Sequence, residues 1–95
     1  MKEKTIENRL RKWALARGWR VIKFTPRGDV GWPDRIFIWK DGTHVWLELK
    51  RPGEEPEPIQ FFRISLLRRS KCNVDWFDNF EQAVEYLKLF ELGEL

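Results

Sequence analysis

At 95 residues and 11.6 kDa the chain is the size of one small folding unit, so residues 1–95 are expected to form a single domain. With 42% hydrophobic and 35% charged residues it can build a core, and a net charge of +3 is too small for a protein that holds nucleic acid by charge alone. A single cysteine, Cys72, excludes an internal disulfide framework and a cysteine-based zinc site, and a single histidine, His44, excludes a His-pair metal site within one chain.

Chemistry must therefore come from carboxylates, lysine and arginine. No apolar run approaches the ~18 residues of a membrane span. Met1-Lys2-Glu3-Lys4 leads into no apolar h-region, so no signal peptide is read and the cytoplasm of a bacterial or phage-infected cell is expected. The charge is uneven. Residues 1–51 hold 13 basic and 6 acidic residues, a balance of +7; residues 52–95 hold 5 and 9, a balance of −4. A basic front half suits a polyanionic partner, although solvated helix faces would give the same count. Six tryptophans are many for this length, and most are expected in the core.

The first periodic segment runs from about Lys4 to Arg17, with Ile6, Leu10, Trp13 and Ala14 at helical spacing and Gly18 as a stop. Glu7 lies on its apolar side and needs a partner, either a metal or a base such as Lys4 or Arg11. Trp19–Phe24 reads as a strand and Thr25–Pro33 as a loop. Arg35–Trp39 is a second strand. Lys40-Asp41-Gly42-Thr43 carries a hairpin signal, so a third strand, Thr43–Lys50, should return antiparallel. In it Val45, Leu47 and Leu49 face one way, and His44, Trp46, Glu48 and Lys50 the other.

Pro58 can open a helix over Ile59–Arg69, with Ile59, Phe62, Leu66 and Leu67 as its apolar stripe, widened by Phe61 and Ile64. Asn73–Phe77 reads as the last strand. Asp78 with Glu81 resembles a capping box for a helix over Asn79–Phe90, buried through Ala83, Val84, Leu87 and Phe90. The order α-β-β-β-α-β-α predicts an α/β fold, a mixed sheet flanked by helices.

One constellation stands out. Pro33-Asp34 opens the second strand and Glu48-Leu49-Lys50 closes the third, so the hairpin brings Asp34, Glu48 and Lys50 to one end of the sheet. Converging carboxylates repel unless a cation sits between them. Hard oxygen donors select Mg²⁺ or Mn²⁺, and the Leu49 main-chain carbonyl can add a third oxygen. With Lys50 beside them this is equipment for metal-assisted phosphodiester hydrolysis.

These strings resemble the PD-(D/E)XK nuclease superfamily, with its restriction-endonuclease-like αβββαβ core. The finer resemblance is to its VRR-NUC (virus-type replication-repair nuclease) branch, in stand-alone phage-type form. It is carried by Glu7, by Gly31-Trp32-Pro33-Asp34-Arg35, by Glu48-Leu49-Lys50-Arg51-Pro52-Gly53 and by Gln60. The resemblance implies that Asp34, Glu48 and the Leu49 carbonyl ligate the metal and that Lys50 positions the attacking water. It gives Gln60 a role in orienting phosphate or the lysine, and Glu7 a contact to the metal or its water shell. It also implies structure-selective cutting of DNA such as Holliday junctions or flaps, by a homodimer.

Lys23, Arg27, Arg35 and Arg51 flank the motif as candidate DNA-backbone contacts, and Trp32 either stacks on a base or anchors its loop. A non-catalytic DNA-binding or assembly module on the same fold is the alternative. One departure from the family pattern is Ser70-Lys71-Cys72-Asn73, where a glycine is usual; Asn73 is expected to take the left-handed conformation there.

Overall fold

The structure is a computed structural model and describes residues 3–93; Met1 and Lys2, part of the charged start, lie outside them. The first helix, α1 (Glu3–Arg17), ends where Gly18 turns left-handed at φ 102°. Trp19 N–H then donates to Ala14 C=O and Gly18 N–H to Leu15 C=O, the two bonds of a Schellman turn. That turn redirects the chain into β1 (Arg20–Lys23). The hairpin strands are β2 (Arg35–Ile38) and β3 (His44–Leu49). The chain continues through α2 (Pro58–Arg69), β4 (Asn73–Phe77) and α3 (Phe80–Glu91).

The sheet order is β1-β2-β3-β4. The first three strands are antiparallel and β4 joins β3 in parallel. Parallel pairing requires a crossover, and α2 supplies it. The mixed α/β architecture expected from the element order is therefore present.

Strand alternation sorts the residues into two layers. Val45, Leu47 and Leu49 turn toward α1 and α3, where they meet Ile6, Leu10, Ala14, Ala83, Val84, Leu87 and Phe90 in the main core. On the other face Trp46 and Val74 join Ile64 and Leu67 of α2 in a smaller cluster. Burial of this kind is worth about 25 cal/mol per Å² of apolar surface, so the larger α1/α3 side carries most of the stability.

Several local expectations need correction. Of the tryptophans only Trp19 is fully buried; Trp13, Trp32, Trp39, Trp46 and Trp76 line the rims of the two clusters. The face of α2 differs too. Ile64 and Leu67 are its buried residues, whereas Ile59, Phe61 and Phe62 are exposed. The helix is apolar on several sides, so periodicity alone could not choose a face, and packing against β4 does. The last helix is capped by Asn79, whose side chain accepts from Gln82 N–H, rather than by Asp78. Asp78 instead accepts from Gly53 N–H at 2.9 Å.

The left-handed residue after α2 is Lys71, at φ 66°, and not Asn73, which already belongs to β4. Lys71 N–H bonds Arg68 C=O and Cys72 N–H bonds Leu67 C=O, so Lys71 fills the position where a Schellman turn favours glycine. A side chain there costs about 1 kcal/mol. Part of that is returned by the greater unfolded-state freedom of glycine. Lys71→Gly is therefore expected to stabilise by roughly 0.5 kcal/mol. Thermal melts check this; an unchanged or lower midpoint contradicts it.

Candidate active site at the open end of the β2–β3 hairpin

The hairpin register pairs Arg35 with Leu47. Beyond that last pair, Asp34 directly precedes β2 and Glu48 directly follows Leu47 on β3, so both lie at the open end. The Asp-Gly turn lies at the far end, with Gly42 left-handed at φ 90° and Trp39 N–H donating to Thr43 C=O. His44 sits beside that turn, Nδ1 against Gly42 C=O at 2.6 Å, away from the carboxylates.

Asp34 is held by its own backbone, which accepts from Phe24 N–H at 2.8 Å. Its side chain is half-buried, and burial pushes its pKa up, with the neighbouring Glu7 carboxylate adding to the rise; Arg35 and Lys23 oppose it. Glu7 comes from α1. Its partner is Arg35, Nε to Oε1 at 3.1 Å, with both side chains largely enclosed. The carboxylate on the apolar side of α1 is thus paired across the fold, and neither Lys4 nor Arg11 is its partner.

Glu48 is the one buried charged residue among those described, at 5% exposure. Lys50 Nζ stands 3.7 Å from Glu48 Oε2. Gln60 Nε2 donates to the same oxygen at 3.3 Å. The Gln60 amide is itself oriented, because its Oε1 accepts from Glu57 N–H at 2.8 Å in the first turn of α2. Pro58 contributes by starting the helix so that Gln60 falls in that turn. Lys50 is anchored through its N–H to Phe77 C=O on β4 at 2.9 Å. Leu49, between the two polar residues, is buried in the main core and holds this stretch against α1 and α3.

The flanking residues divide. Lys23 and Arg27 are exposed. Arg35 is engaged with Glu7, and Arg51 pairs with Glu54. Trp32 packs against the Ile64–Leu67–Val74 cluster with the Arg63 guanidinium 4.6 Å above its ring, the posture of a loop anchor.

Among the described residues no three His, Cys, Asp or Glu side chains gather into a metal cage by themselves. The carboxylates at this end of the sheet nevertheless offer the donor type that a hard divalent ion takes. Every donor is oxygen, and Asp34 lies half-buried near the Glu7 carboxylate.

No protein-family model matches the chain. Over 60 residues it is 35% identical to the curated protein "Putative nuclease p44" of Acyrthosiphon pisum secondary endosymbiont phage 1, a match covering 63% of this chain. The match covers 64% of that protein, so this chain spans a little under two thirds of the relative's length. A solved structure described as "VRR_NUC domain" superposes with a TM-score of 0.82, covers 96% of each chain and is 27% identical. Over nearly its whole length the chain is similar to a VRR_NUC domain.

In this VRR-NUC-like fold one structural residue had no sequence signal. Arg63 on α2 donates through Nε to Val30 C=O at 3.0 Å and through Nη2 to Asp29 at 2.7 Å, while covering Trp32. It pins the loop that leads into Asp34 against the helix that carries Gln60. Gly31 lets the two come close, since a Cβ there would stand 2.7 Å from Ile59 Cγ1. An arginine in a helix with basic neighbours looks solvated in sequence, and only the folded loop reveals its acceptors.

Proposed function

We propose that the chain is a Mg²⁺- or Mn²⁺-dependent DNA endonuclease. The observation that carries this reading is the buried Glu48 carboxylate with Lys50 and Gln60 on its Oε2, at the hairpin end where Asp34 precedes β2. A pure binding module gains nothing from burying a carboxylate next to where phosphate must lie. The likeness to a VRR_NUC domain and to a phage protein named as a nuclease supports the same reading.

Asp34, Glu48 and the Leu49 carbonyl would hold the ion, with Glu7 toward its water shell. When bound, the ion supplies Lewis acidity and a more acidic water at neutral pH. The Lys50 ammonium offers positive charge beside Glu48, where it can orient a water and offset charge developing on the phosphate. Gln60 holds the Glu48 carboxylate in one rotamer and leaves its second N–H available for a phosphate oxygen. Lys23, Arg27 and Arg51 stand exposed to meet the DNA backbone, and Arg35 is half-buried on Glu7. Branched DNA, such as a Holliday junction or a flap, is the proposed substrate class. A two-fold pair of chains would place two such sites at fixed spacing for symmetric cuts.

The test is a cleavage panel on supercoiled, flap and four-way-junction DNA with Mg²⁺, Mn²⁺ or EDTA. Wild type should cut only with metal, and Glu48→Gln should lose both cutting and the metal-induced rise in melting temperature. Metal-independent cleavage, or full activity in Glu48→Gln, overturns the proposal.

A further inference from the structure

The outer face of α1 carries cations that the fold does not use. Among the described residues seven basic side chains are tied to acids: Arg17 to Glu91, Arg35 to Glu7, Lys50 to Glu48, Arg51 to Glu54, Arg63 to Asp29, Arg68 to Asp75 and Lys88 to Glu85. Lys4, Arg11 and Lys12 are exposed and form no ion pair with a described residue. Because Arg35 takes Glu7, the two bases nearest Glu7 on its own helix are left facing solvent.

Their placement follows from helix geometry. Lys4 is three residues before Glu7 and Arg11 four after it, so both are its surface neighbours, with Cβ atoms about 5–6 Å away. Lys4 and Arg11 are two turns apart, about 10 Å along the axis. A duplex strand passes about three phosphates in that distance, at ~3.4 Å of axial rise each. Lys12 widens the row, and Asn8, also exposed, lies between as a neutral hydrogen-bonding group. The row begins beside the Glu7–Arg35 pair, which itself borders Asp34.

We propose that this face of α1 is a duplex-DNA backbone surface, on which a strand leaving the carboxylate site is held by Lys4, Arg11 and Lys12. The surface rests on the nuclease reading for its choice of partner. It assigns to α1 a binding role that none of the residues flanking the motif supplies, since those lie on β1, β2 and the loops.

The experiment is fluorescence anisotropy of a short labelled duplex with the full chain in EDTA, across a series of KCl concentrations. Replacing Lys4, Arg11 and Lys12 together by alanine should reduce the slope of log K against log salt by about 2.7, or 0.9 for each lost phosphate contact. At ~0.1 M salt the affinity should fall at least tenfold. Alanine at exposed helix positions preserves helicity, and circular dichroism confirms that the variant is folded. A control with the same loss of charge, Lys40→Ala, Arg69→Ala and Lys71→Gly, should keep the wild-type slope. Equal losses in both triples would reduce the effect to net charge and overturn the proposal, as would an unchanged slope in the α1 variant or absence of duplex binding by wild type. The two readings fail separately. Wild type that cuts DNA with metal while the α1 variant keeps its slope removes only the surface. An α1-dependent slope in a protein that cuts none of the DNA substrates with either metal removes only the nuclease reading.

Discussion

Lys50→Ala is expected to slow metal-dependent cleavage by roughly 10²–10⁴-fold, the range for removing one positioned proton-transfer or charge-stabilising group. The side chain is mostly enclosed, its Nζ 3.7 Å from the Glu48 carboxylate, and its backbone is tied to β4. Its charge is therefore fixed in place rather than swept through solvent. Lys50 is not among the proposed ligands, so the metal-induced rise in melting temperature should persist in Lys50→Ala while it disappears in Glu48→Gln. Lys50→Arg keeps the charge but replaces a compact ammonium with a larger planar fork, and is expected to remain impaired. Cleavage rates with a single-turnover excess of enzyme measure the effect. Activity within tenfold of wild type in Lys50→Ala would remove the lysine from the mechanism.

Glu91→Ala is expected to lower the melting temperature by on the order of 10 °C. Glu91 closes the fold from its far end. It accepts from Arg17, Nη2 to Oε1 at 2.6 Å and Nε shared between Oε2 at 2.8 Å and Oε1 at 3.1 Å, and also from the Trp19 indole at 2.8 Å. Trp19 is 2% exposed and packs on Phe37 and Trp39, so its N–H has no water to fall back on. Stranding that donor costs about 1–3 kcal/mol.

The same contacts give a pH signature. The Arg17 hydrogen bonds, followed by the Trp19 bond, hold the Glu91 carboxyl below its ordinary value of 4.5 against an opposing effect of burial. The folded chain therefore binds fewer protons than the unfolded chain at this site. Its contribution is complete above pH 4.5 and is lost as the pH falls through the lowered value. Glu91→Gln keeps an acceptor for Trp19 and loses the charge, so it should melt between wild type and Glu91→Ala and show a flatter acid limb. Melting curves from neutral pH down to pH 3 decide this. An alanine variant that melts within two degrees of wild type would show that the triad contributes nothing.

The β2–β3 hairpin shows how much could be read in advance. A period-two pattern in residues 44–50 and an Asp-Gly turn determine which residues share a face and which ends meet, and the observed pairing of Arg35 with Leu47 follows from them. Gln60 was legible as a residue of the next helix, though its bond to Glu48 was not. For Glu7 the sequence showed a carboxylate in need of a partner and offered Lys4 and Arg11. The partner is Arg35, 28 residues away. Likewise α2 presented apolar residues on several sides, and its docking on β4 decided that Ile64 and Leu67 go in while Phe62 stays out.

The division has a physical basis. Element order, strand facing and the hairpin register rest on periodicity and turn chemistry, which act over a few residues and are written locally. Choosing Arg35 for Glu7, Asp29 and Val30 for Arg63, and solvent for Lys4 and Arg11 depends on which surfaces face each other after collapse. Charged side chains are long and mobile, and they settle on whatever acceptor packing leaves within reach. The chain alone thus determined a mixed α/β frame and the hairpin that joins its second and third strands. Tertiary structure decided which bases neutralise its acids and which remain exposed on the surface.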